Sequence, residues 1–171
     1  MSSAASEAGL RGSLRRLPVV AATAEGSTSL SAFHRALVAT GTGHFNLVRL
    51  SSVIPPGVEA GPAAPGDVVG GWGDRLYCVY AEQRTSTPGE EAWAGVGWVQ
   101  RLDGGGGFFV EHEGTGEAEV ERLLRSSLED MVSAEPHVFS EPDWVVTGIL
   151  CTGAPVAALV IVPYVTFLWE G

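Results

Sequence analysis

The chain has 171 residues, of which 45% are hydrophobic and 18% charged, with a formal net charge of −10. That length holds one domain with a substantial core, and the acidity argues against duplex DNA or an anionic membrane as partner, because like charge repels their phosphates. All 10 basic residues are arginine; with no lysine, a pyridoxal-phosphate Schiff base, a Walker A loop and a Ser–Lys dyad are excluded.

Met1 to Arg16, rich in Ala, Ser and Gly, is expected to be a flexible tail, leaving residues 17–171 as a single domain. Arg15-Arg16 faintly suggests a twin-arginine export signal. The apolar run that follows, however, is short, β-branched and closed by Glu25, so it reads as a first strand over Val19–Ala24. Helical spacing follows at Leu30, Phe33 and Leu37, with Ser27, Thr28 or Ser29 as the cap. Strands are expected at Phe45–Leu50, Leu76–Ala81, Ala94–Gln100 and Gly107–His112. A second helix is expected from Gly116 to Ser133, with an apolar stripe of Val120, Leu123, Leu124, Leu128 and Met131. Glu129 and Asp130 sit badly at its negative end, so its last turn is expected to fray. Strands at Trp144–Cys151 and Ala157–Phe167 complete the order, and Pro55–Gly73 reads as loop. The pattern argues for an α+β domain with largely antiparallel sheet.

Several candidate chemistries fail on these residues. Gly104–Gly107 leads into a strand rather than a helix, so it reads as a turn and not a phosphate cradle. His34, His44, His112 and His137 have no metal-ligand spacing with Cys78 and Cys151, which lie in apolar runs and read as buried, reduced thiols. No Gly-x-Ser-x-Gly elbow occurs. Trp72, Trp93, Trp98, Trp144 and Trp169 read as core packing. The apolar stretch Ala154–Leu168 is broken by two prolines and is too short for a bilayer span, so no membrane partner is expected and the cytoplasm is the default location.

One segment stands apart: Asn46-Leu-Val-Arg-Leu-Ser-Ser-Val-Ile-Pro-Pro56, a strand that ends in two serines and meets a double proline. Two readings stay open at this level. In one, Ser51 and Ser52 bond to a turn backbone. In the other, the pair is a site of self-cleavage: the Ser52 hydroxyl attacks the Ser51 carbonyl to give an ester, elimination leaves dehydroalanine, and hydrolysis gives a pyruvoyl ketone.

The segment resembles the processing site of the pyruvoyl-dependent arginine decarboxylases. Glu25-Gly26 and Leu30-Ser-Ala-Phe33 resemble that family's first loop and helix, and Gly107-Phe-Phe-Val-Glu-His-Glu-Gly114 resembles its Gly-x-x-x-Glu-x-Glu-Gly strand. The resemblance implies a four-layer αββα sandwich and cleavage between Ser51 and Ser52 into a β chain, 1–51, and an α chain, 52–171. It implies a covalent pyruvoyl group derived from Ser52, with no pyridoxal phosphate and no metal. Glu111 would be the catalytic acid, Asn46 would orient the scissile carbonyl, and His34, Gly43 and Phe45 would be substrate-binding positions. His34 stands where the family carries an aspartate on its first helix. Glu113, two residues from Glu111 on the same strand face, either raises the acid's pKa by like charge or is solvated. The expected reaction is decarboxylation of arginine to agmatine through a Schiff base, in a homotrimer or higher assembly with active sites between subunits. The alternatives are a different amino-acid substrate, or an unprocessed homologue serving as a subunit partner or binding module.

Overall fold

Residues 16–66 and 68–168 are described by the computed structural model of this protein. Their order is β1 (Arg16–Glu25), α1 (Ser29–Ala39), β2 (Asn46–Arg49), β3 (Val53–Ile54), β4 (Glu59–Pro62), β5 (Arg75–Thr85), β6 (Glu91–Gln100), β7 (Gly107–Gly114), α2 (Glu117–Ser133), β8 (Asp143–Leu150) and β9 (Val156–Phe167). One sheet has the order β2-β5-β9-β1-β4, the other β3-β7-β6-β8. The pairs β1–β4 and β2–β5, at the two margins of the larger sheet, are parallel; the other pairings are antiparallel.

The apolar run of β9 is continuous because the strand is covered on both faces. Val156, Ala158, Val160 and Val162 point between the sheets, while Ala157, Leu159 and Ile161 face α1. Alternation in β6 does the same for the second sheet. Ala94, Val96 and Trp98 enter the inter-sheet layer, while Gly95 and Gly97 lie beneath α2. A Cβ at Gly95 would stand 2.8 Å from Leu124 Cδ1, so the glycine lets the helix close on the sheet. Val120, Leu124 and Leu128 supply the buried face of α2. The layers are therefore helix, sheet, sheet, helix, the expected αββα sandwich. Cys78 and Cys151 are buried free thiols, as expected, and burial pushes Cys78 up to about 12.

Four expectations need correction. Leu30 is 68% exposed; the face of α1 that meets the sheet is built from Ala32 and Ala36, flanked by Phe33 and Leu37, because small residues let the helix sit close. Thr28, one of the three expected caps, does cap that helix: its Oγ1 accepts the Ser31 amide at 3.0 Å, with Ser31 Oγ accepting the Thr28 amide in return. The Pro55–Gly73 segment contains β4, whose Glu-Ala-Gly-Pro sequence has no strand preference and pairs only because β1 offers it an edge. The last turn of α2 holds through Ser133, since Met131 and Val132 stay packed on the sheet. Trp72 is 87% exposed in a glycine-flanked turn, beside His44, and is no part of the core. The tail expected over residues 1–16 lies outside the described residues except for Arg16, which opens β1, and Trp169 lies outside them too.

Candidate active site

The two serines occupy the point where the chain changes sheets. β2 runs parallel to β5, and its bonding continues past Arg49, with the Leu50 amide donating to the Cys78 carbonyl at 2.9 Å. By Ser52 the backbone already belongs to the other sheet: its carbonyl accepts the Phe109 amide at 2.8 Å, and Val53 stands opposite Phe108. The Ser51–Ser52 peptide spans the gap, pinned on either side. Ser52 has φ +69°, the one positive value at a non-glycine among the described residues. Left-handed backbone costs a residue with a side chain about 1–3 kcal/mol. Pro55 and Pro56 then end β3 after two residues, because proline has no N–H for the ladder.

Alternation along β7 selects the side chain that meets Ser52. Phe109 and Glu111 share the face toward the larger sheet, and Phe109 fills the inter-sheet core. Glu111, one step beyond, ends at the rim of that core, and its Oε1 accepts a hydrogen bond from the Ser52 hydroxyl. Burial lifts the Glu111 carboxyl above the usual glutamate range, against the opposing pull of the Ser52 hydroxyl and the Arg49 guanidinium. Glu113 is exposed and contributes nothing to that lift, which comes from burial. Arg49 itself lies over the Tyr80 ring, 4.8 Å from its centroid, and donates to the Tyr80 carbonyl at 2.8 Å.

The other residues singled out from sequence lie elsewhere in the chain. Asn46 donates through Nδ2 to the Gly73 carbonyl at 2.7 Å. It begins β2, five residues from Ser51, a distance of up to about 16 Å along an extended strand. His34 is exposed on α1; Gly43 packs on Val38; Phe45 lies tilted against His44 with ring centroids 4.1 Å apart. Within one chain these four form no bond or ring contact with Ser52 or Glu111. A cleft of about 440 Å³ between the Gly57–Ala60 and Gln100–Leu102 segments includes neither of those two residues. Two contributors escaped the sequence reading: the Phe109 main-chain N–H on Ser52, and Tyr164, whose hydroxyl donates to the Val53 carbonyl at 2.9 Å. The signal for the second was a tyrosine directly after proline inside a doubly covered strand, where a phenol must find a partner.

The arrangement is a strained serine with its carbonyl held by the Phe109 amide, its hydroxyl bound to a carboxyl whose pKa burial raises, and a two-residue strand behind it. Such a site fits a group built from the serine itself, since the donor and the acid already address that residue. Comparison with known proteins agrees. The family described as pyruvoyl-dependent arginine decarboxylase matches residues 16–167. The pyruvoyl-dependent arginine decarboxylase of Thermococcus sibiricus is 34% identical over 150 residues, covering 85% of this chain and 94% of its own. That of Pyrococcus abyssi is 33% identical over 160 residues with the same coverage. A solved pyruvoyl-dependent histidine decarboxylase overlaps at TM-score 0.41 and 16% identity, covering 61% of this chain; the chain spans 53% of that structure's length. With nearly its whole described length matched, this chain belongs to the pyruvoyl-dependent arginine decarboxylase family.

Proposed function

We propose that this chain is a self-processing, pyruvoyl-dependent arginine decarboxylase that cleaves itself between Ser51 and Ser52 and then converts arginine to agmatine and carbon dioxide. One observation carries the reading: the Ser52 hydroxyl is bonded to the half-buried Glu111 at a strained peptide between two sheets. In the cleavage, Ser52 Oγ adds to the Ser51 carbonyl carbon and the Ser51 C–N bond breaks, giving an ester. Loss of the Ser52 α-proton then expels the 1–51 chain as a carboxylate, and water displaces the enamine nitrogen as ammonia.

The pyruvoyl group supplies a ketone that condenses with the substrate amine and draws off the electron pair released with carbon dioxide. The protein's own groups do the rest. Phe109 N–H holds the Ser52 carbonyl and so fixes the plane of the amide beside the reacting carbon. Glu111 is the group placed to give a proton to the α-carbon that loses carbon dioxide, and burial raises its pKa, which favours the protonated form that the step needs.

Asn46, His34, Gly43 and Phe45 act from a neighbouring copy in a homotrimer. Support comes from the lack of any bond or ring contact between them and Ser52 within one chain, and from exposed apolar side chains in the same region: Val69 is 83% and Trp72 87% exposed. Such surface is commonly covered by a partner. We assign the enzyme to the cytoplasm; among the described residues no helix is long and apolar enough to cross a membrane. The test is carbon dioxide release from a panel of amino acids by purified protein, with sedimentation mass measured on the same sample. Arginine should be turned over fastest, by a particle about three times the 17.8 kDa of one chain. Preference for another amino acid would replace the substrate, and an intact chain releasing nothing would remove the enzyme.

A further inference from the structure

Pro163 stands opposite Cys78 in the middle of the larger sheet, and the register of β9 on β5 skips a residue there. Tyr77 pairs with Val165 and Cys78 with Pro163, so Tyr164 is left over. A proline has no N–H for the ladder, and a bulge beside it therefore forfeits little. Tyr164 continues the face set by Val156, Ala158, Val160 and Val162 and enters the space between the sheets. Its ring meets Phe109 edge-on, with centroids 6.2 Å apart at 70°. Its hydroxyl donates to the Val53 carbonyl at 2.9 Å. A side chain of one sheet thus holds the backbone of the other, one residue beyond Ser52. Burial, reinforced by the nearby Glu111 charge, pushes the phenol well above the ordinary tyrosine range, so it remains a donor.

A half-buried phenol favours an acceptor within the protein, and any carbonyl would satisfy it. The choice of this carbonyl has a consequence for the site. β3 has only Val53 and Ile54 in register with β7, and Ser52 before it sits in left-handed backbone. Cleavage would make Ser52 a chain end and remove the tie through Leu50. What then holds it is the Phe109 amide on Ser52, the short ladder, and the Tyr164 hydroxyl. We propose that Tyr164 is a positioning residue: by fixing the Val53 carbonyl it holds the Ser52–Val53 peptide so that residue 52 stays against Glu111. The inference rests on the reading of Ser52 as the reacting residue.

Tyr164→Phe keeps the ring and its contact with Phe109 and removes only the hydroxyl. In freshly synthesised protein, conversion of the full-length chain into its two fragments should slow by about three- to tenfold, the loss expected for one hydrogen bond. Amide exchange at Phe109 should quicken, while the melting temperature stays close to that of the parent. Thr166→Val removes a comparable bond from the same strand, made to the Val69 carbonyl at 2.8 Å, and should leave the cleavage rate unchanged. Cleavage of Tyr164→Phe at the parental rate, or equal slowing by Thr166→Val, would overturn the positioning role while leaving the Ser52 reading intact. A parental chain that never cleaves would overturn both.

Discussion

Ser52→Ala protein should run on a denaturing gel as one band of full length, where the parent should give fragments of 51 and 120 residues, and it should release no carbon dioxide. In the proposed cleavage the Ser52 oxygen is the nucleophile, and no neighbouring group would replace it. Ser51 supplies the carbonyl that is attacked, and its own hydroxyl lies on the wrong side of that bond. The variant should still fold. Alanine meets the same left-handed backbone as serine, and the two sheets that pin this peptide are held by long ladders elsewhere, such as β5 on β9. What is lost is the hydrogen bond to Glu111, worth on the order of 1–2 kcal/mol to a partly buried partner. Intact mass, a denaturing gel and a thermal melt check the three parts. Appearance of both fragments at the parental rate would remove Ser52 from the chemistry, whatever the family resemblance.

Much of this site was legible in the sequence, because its chemistry is local. A strand that stops at Ser-Ser-x-x-Pro-Pro, and a carboxyl following Phe108, Phe109 and Val110, are features of adjacent residues. The element order was legible for a similar reason: long apolar stripes and β-branched runs carry their periodicity with them. What escaped depends on partners distant along the chain. The sequence pattern marks β2 as extended, but two residues are too few for a period, so neither β3 nor its place in the other sheet was legible, and the strain on the peptide between them is visible only in three dimensions. Leu30 outranks Ala32 and Ala36 in hydrophobicity, yet the alanines face the sheet because packing there rewards close approach. Likewise, nothing in Pro163-Tyr164 says which carbonyl the phenol will reach, since that follows from the stacking of the two sheets.

Glu111→Gln should separate the two reactions that meet at this site. The amide oxygen of glutamine can accept the Ser52 hydroxyl as Oε1 does now, so self-cleavage should proceed to both fragments. The amide has no acidic proton to give, and carbon dioxide release should fall by about 10²–10⁴-fold, the usual contribution of a positioned acid. Parental turnover should decline as pH rises through the elevated Glu111 pKa, and the residual rate of the variant should lack that limb. Stability carries the same sign. With its folded pKa above its unfolded one, Glu111 favours the folded state less as pH climbs from the unfolded value to the folded one, because the unfolded chain ionises first. The melting temperature of Glu111→Gln should therefore gain on the parent across that window. Full decarboxylation by the variant, or a pH limb unchanged by it, would assign the proton to another group. The Ser52 hydroxyl is one of the influences that now pull the Glu111 pKa down. The proposed self-cleavage would consume that hydroxyl, so the reaction that makes the ketone would also relieve the acid of a restraint on holding its proton.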